Sequence, residues 1–204
     1  MADIAPSRSA ILDLRDERQT MTEGHAFLDE KCLVIAGEIV RELARYQELE
    51  QNLMAISAEA ARLLQAAVAR HGLEELAVHP APDLTAFALV SGVRSVMGVK
   101  LISADSGAPP GFPALPAWSS PEARVCRDAF ARLFAVAPQL GAIAGNLERL
   151  SEEYRRSIRR ARALNEVLIP EINRTIDALE TGLEDLERED AIAMRLGARP
   201  PTAQ

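Results

Sequence analysis

The chain is 204 residues long, with 48% hydrophobic but only 4% aromatic residues and a net charge of −7. That composition suits an extended helix–helix seam better than a thick globular core, and the negative charge argues against general nucleic-acid binding, which needs a basic surface. No apolar run approaches the ~18–20 residues that span a bilayer, and the N-terminus lacks the basic start and apolar core of a signal peptide. Cys32 and Cys126 lie far apart without CxxC spacing, so the sequence predicts two reduced thiols in a cytoplasmic protein.

The first predicted helix begins near Pro6, with Ser7 or Ser9 as cap, and ends near His71-Gly72. Two rows at seven-residue spacing run along it. One is Ile11, Arg18, His25, Cys32, Ile39, Tyr46, Leu53 and Ala60. The other is Leu14, Met21, Leu28, Ile35, Glu42, Leu49, Ile56 and Leu63. Only Arg18, His25 and Glu42 break the apolar rule, so the pattern predicts a coiled-coil seam.

The middle of the chain is proline-rich and sparsely charged. The runs 84–90 and 93–102, joined by Ser91-Gly92, predict a β-hairpin. A loop over 108–116 follows. Ser119-Ser120-Pro121-Glu122 then has the cap and first-turn proline of a new helix.

The last third repeats the heptad pattern in Leu140, Leu147, Tyr154, Ala161 and Leu168, with Ile143, Leu150, Ser157 and Leu164 three residues on. From Leu164 the apolar steps run in fours through Leu168, Ile172 and Ile176, which predicts a stutter that locally unwinds a supercoil. The stutter brackets Pro170, which in a continuous helix would cost about 3 kcal/mol through a lost hydrogen bond and a clash with the carbonyl of Glu166. A bend is expected there.

The fold class that follows is mainly α. Residues 1–72 form one long helix, 73–120 a hairpin and loop insert with a short helix, and 121–204 the helices that complete an antiparallel two-helix coiled coil. Helices of ~60 residues would each be about 90 Å long. The termini are expected at one end and the hairpin at the other.

A search for chemistry assembles no catalytic, cofactor-binding or metal site. Glycine-rich phosphate loops are absent, and His25, His71 and His79 have no partners at metal-ligand spacing. His25 reads as a packing or register residue; His71 and His79 read as solvated residues flanking a turn. Glu152-Glu153 and the acids from Glu187 to Asp190 read as solvated faces. Arg155, Arg156, Arg159, Arg160 and Arg162 form a basic cluster that surrounds much of the helix. It reads either as a solvated collar paired with nearby acids or as a contact for an acidic partner.

Several segments together resemble the D subunit of the V-type/A-type rotary ATPases. They are Pro6-Ser-Arg8, Leu12 and Leu14; Gly24-His25, Leu28 and Lys31; Val96-Met-Gly-Val-Lys100; and Arg159-Arg160, Ala163-Leu-Asn165, Ile169-Pro170 and Thr175-Ile176, followed by Glu187-Arg188-Glu189. The resemblance implies a central-stalk rotor subunit that transmits torque between the catalytic head and an ion-translocating membrane rotor. It also implies no catalysis by the chain itself and no cofactor. The partners it implies are the A and B subunits of the catalytic head, a small F subunit of the rotor, and a membrane-side C/d subunit of the rotor facing the hairpin end. It further implies a cytoplasmic location, peripheral on the membrane through the complex, with no direct membrane insertion and no nucleic acid. A coiled-coil scaffold unrelated to rotary motors is the alternative. The γ shaft of F-type enzymes, with its larger insert, is a third reading.

Overall fold

A computed structural model describes residues 7–78, 89–106 and 119–197. In chain order it contains α1 (Arg8–Ala77), β1 (Leu89–Val96), β2 (Val99–Ser106), α2 (Pro121–Ala163), a π-helical turn (Leu164–Leu168) and α3 (Ile169–Gly197). Two compact units result: residues 1–32 with 155–204 (unit 1), and residues 33–154 (unit 2). The predicted loop over 108–116, the first part of the 84–90 run (84–88) and His79 lie outside the described residues, as do 79–83, 107 and 117–118 of the insert assigned a short helix.

The predicted helix starts have their caps. Ser7 Oγ accepts the Ala10 N–H (3.2 Å) at the head of α1, and Ser120 Oγ accepts the Ala123 N–H (3.2 Å) at the head of α2, each satisfying a donor that the first turn leaves without a partner. Gly72 breaks α1 at the expected place, with φ 75° and ψ 162°, a conformation open essentially to glycine alone. The helix resumes for residues 73–77.

In unit 1, α1 and α3 run antiparallel, as the ion pairs Arg8–Glu187 (2.7 Å) and Arg15–Glu180 (2.6 Å) show. Ile11, Ile172, Ile176 and Leu179 are the buried centre of the seam, flanked by Leu14, Met21 and Leu183. Arg18, which breaks the heptad rule, stays exposed and donates to Asn173 Oδ1 (3.2 Å). His25 is half-buried, its Nδ1 lying 3.4 Å from Asp29 Oδ2.

The predicted stutter takes a different form. The Ile169 N–H bonds to the Leu164 carbonyl, so the chain adds one residue in a wide turn. The seam steps from Leu164 to Ile169, a step of five, and then continues through Ile172, Ile176, Leu179 and Leu183 in threes and fours. Leu168, predicted on the seam, is instead rotated outward and is 40% exposed. Pro170 thereby directly follows the wide turn, inside an unbroken helical run whose hydrogen-bond ladder has already shifted by one residue there.

In unit 2, α1 and α2 also run antiparallel, with Glu59–Arg132 (3.0 Å) and Arg70–Glu122 (2.7 Å) across them. The hairpin departs from expectation in two ways. Its turn is Met97-Gly98, not Ser91-Gly92, with Val96 paired to Val99. Both turn residues have positive φ (48° and 85°), as a two-residue hairpin turn that matches strand twist requires. Met97 gains in return by packing against the buried cluster of Ile35, Val99, Leu101 and Leu150. Gly92 lies within β1 opposite Ser103, where an added Cβ would stand 2.6 Å from Ser103 Oγ. The hairpin also does not cap the end of unit 2: its tip packs back on Ile35 and Leu150, far along the helices from Gly72 and Ser120. Alternation explains the seating, since Val99 and Leu101 share one face of β2 and both are buried.

Candidate functional site

The third heptad breaker, Glu42, anchors a polar clamp that locks the hairpin to the helices of unit 2. Glu42 is 2% exposed. Its Oε1 accepts from Arg94 Nη2 of β1 (2.9 Å) and from Arg45 Nη1 (3.1 Å), and its Oε2 accepts from Asn146 Nδ2 of α2 (3.4 Å). One turn earlier, buried Glu38 accepts from Arg94 and from Arg41 Nε (3.0 Å). The Arg94 hydrogen bond, aided by Arg41, holds the Glu38 carboxyl below the usual range even though burial pushes the other way. Asn146 completes the clamp. Its Nδ2 donates to the Ile102 carbonyl (2.8 Å) and its Oδ1 accepts the Ile102 N–H (2.8 Å), so the amide acts as a strand partner for β2. An open depression of about 370 Å³ lies over this network, lined in part by Arg45, Gly92, Asp105 and Gln139. The contacts of this network are charge pairing and positioning.

His71, predicted to be solvated, is half-buried, with Nε2 2.6 Å from Ser120 Oγ and Nδ1 3.6 Å from Glu75. It ties the break in α1 to the cap of α2. Both cysteines are free, and burial raises their thiol pKa values, which keeps them in the unreactive protonated form. Among the described residues no group of three or more His, Cys, Asp or Glu is placed to hold a metal, and no helix is long and apolar enough to cross a membrane.

Two surfaces remain. Leu33, Val40 and Met54 are exposed on α1, Leu33 by 75%. They stand at multiples of seven residues and form a second apolar row beside the two seam rows. The arginine cluster occupies one side of α2 rather than its circumference. At 100° per residue Arg155, Arg156, Arg159, Arg160 and Arg162 cover an arc of about 160°, while buried Ser157 and Ala161 and half-buried Ile158 face the other way.

Each unit pairs two antiparallel helices, unit 2 with a hairpin clamped to them, and exposed apolar and arginine side chains mark a mainly helical protein. Residues 10–196 match the family model for the D subunit of ATP synthase, and the chain belongs to that family. The chain is 26% identical to the V-type ATP synthase D subunit of Thermotoga neapolitana, covering 94% of this chain and 95% of that one. It is 27% identical to the A-type ATP synthase D subunit of Methanopyrus kandleri (96% and 85%) and 28% identical to the V-type ATP synthase D subunit of Anaeromyxobacter dehalogenans (96% and 95%).

Proposed function

We propose that this chain is the central-stalk rotor subunit of a V/A-type rotary ATP synthase. It links ATP synthesis or hydrolysis in the catalytic head to ion translocation by the membrane rotor. The observation that supports this best is the match to the D-subunit family over residues 10–196, nearly the whole described chain. The geometry agrees in kind. Both units pair long antiparallel helices, and leucine, valine, methionine and arginine side chains that a free-standing scaffold would cover are exposed.

On this reading the chain makes and breaks no bond. Each rotor angle stabilises one conformation of the head over the others through differential contacts, so work passes between head and rotor as contact free energy. The partners are the A and B subunits of the head, a small F subunit and a membrane-side C/d subunit. Membrane association would come only through that assembly, on the cytoplasmic side. Purification of the tagged full-length chain from its own cells tests the reading. Nucleotide-binding head subunits should accompany it, and the isolated chain should hydrolyse no ATP. A chain recovered alone, with its seam closed on itself, would favour the scaffold reading.

A further inference from the structure

The arginine face of α2 is the strongest charged feature that the rotor reading leaves without a task. Among the described residues Arg155, Arg159, Arg160 and Arg162 are exposed and make no hydrogen bond or ion pair. Most other described arginines of the chain do, among them Arg8, Arg15, Arg41, Arg45, Arg70, Arg94 and Arg188. Arg155–Arg159 and Arg159–Arg162 are like-charge neighbours at four- and three-residue spacing, an arrangement that weakens an isolated helix. A protein with a net charge of −7 thus concentrates uncompensated guanidinium groups on one side of two helical turns. The π turn adjoins this face. Val167, 56% exposed, falls on the same arc, and Leu168, turned off the seam, is 40% exposed beside it.

We propose that this arginine face, with Val167 and Leu168, docks an acidic peptide segment of a catalytic-head subunit, carboxylates over the guanidinium groups and an apolar side chain over Val167. The inference rests on the central-stalk reading and adds to it the place and chemistry of one head contact. Guanidinium forks suit carboxylates, and the site's extent favours a short segment: Arg155 to Arg162 rise only about 10 Å along the helix. Glu152 and Glu153 precede the face and Glu166 and Glu171 follow it, so a long polyanion such as nucleic acid or a lipid surface would meet like charge on both sides. The π turn supplies the apolar part by moving Leu168 outward without breaking the seam at Ile169.

The test uses the full-length chain assembled with its head subunits. A carbodiimide joins an amine to a carboxylate in contact with it and leaves arginine untouched. The R159K chain should therefore be crosslinked at position 159 to a carboxylate of a head subunit, identified by mass spectrometry, and the unaltered chain should not. In parallel, Arg155→Glu with Arg159→Glu and Arg162→Glu should lower affinity for the purified head by about tenfold or more, with helix content and melting temperature retained. Val167→Ser with Leu168→Ser should give a smaller loss. If the R159K chain assembles normally but crosslinks at position 159 only within itself or not at all, the docking proposal is overturned and the rotor reading stands. Unchanged head affinity in the charge-reversed chain overturns it equally. So does an arginine-dependent retention on anionic vesicles or DNA in place of the head. A chain that never assembles with a head removes the rotor reading, and the proposal with it.

Discussion

The two units share α1, yet its inner face is dry in one and polar in the other. Unit 1 closes on Ile11, Ile172, Ile176 and Leu179, with its charged pairs kept at the exposed edges. Unit 2 buries Glu38, Glu42 and Asn146 among Ile35, Leu101 and Leu150. The difference lies in what each unit holds. Two helices need only matching rows, and side-chain burial fixes their register. A two-stranded hairpin is marginal by itself and has an open edge. It needs directional bonds to sit in one place, and Glu42, Arg94 and Asn146 supply them.

The largest contrast comes from changing chain length in unit 1. Inserting an alanine after Asn173 rotates everything beyond it by about 100° and takes Ile176 and Leu179 off the seam, a loss of about 4 kcal/mol or more. Deleting Val167 should instead remove the extra residue of the π turn, restore an ordinary helix and cost about 1 kcal/mol or less. Melting both chains checks the pair, and equal losses would mean that the π turn does not absorb the register change. In unit 2, Ile35→Ala opens a cavity beneath the hairpin and should cost about 3 kcal/mol in denaturant unfolding.

Arg94→Ala leaves two buried carboxylates without their main partner. Because the Arg94 side chain is 47% exposed, water offsets part of the loss, and about 2 kcal/mol is expected. Glu38→Gln tests the same clamp by pH. The folded-state pKa of Glu38 is lowered, so its contribution is present above the unfolded-state pKa and is lost as pH falls through the folded one. The hairpin should loosen in acid, read by amide exchange of β2, and the Gln variant should show less of that acid dependence. Smallest of all is Met97→Asn. Asparagine suits a positive φ better but gives up the packing of Met97, so stability should change by about 1 kcal/mol or less.

Much of this was legible in the sequence, because a seam writes itself as a period. The rows from Ile11 to Leu63, the Gly72 break and the Ser120-Pro121 cap all follow from local rules. What escaped depended on tertiary competition. Ser91-Gly92 resembles a turn by composition, but Met97-Gly98 takes the turn, with Met97 half-buried against the cluster around Ile35 and Leu150. Glu42 read as a flaw in a row because its partner Arg94 lies on a strand distant in sequence. Three steps of four look alike whether a supercoil relaxes or a helix adds a residue, and only the Leu164–Ile169 bond separates them. Pro170 therefore stands directly behind a wide turn, not in a regular α-helical ladder. The exposed row through Leu33, Val40 and Met54 has the same period as the seam and was masked by it.

On the proposed function this chain is a rotor shaft. That reading is tested most directly by fixing the head to a surface, attaching a bead to the chain and watching it while ATP is supplied. A rotor shaft should turn stepwise in one direction and stop when ATP is withdrawn. A bead that stays still while the same complexes hydrolyse ATP would contradict the reading.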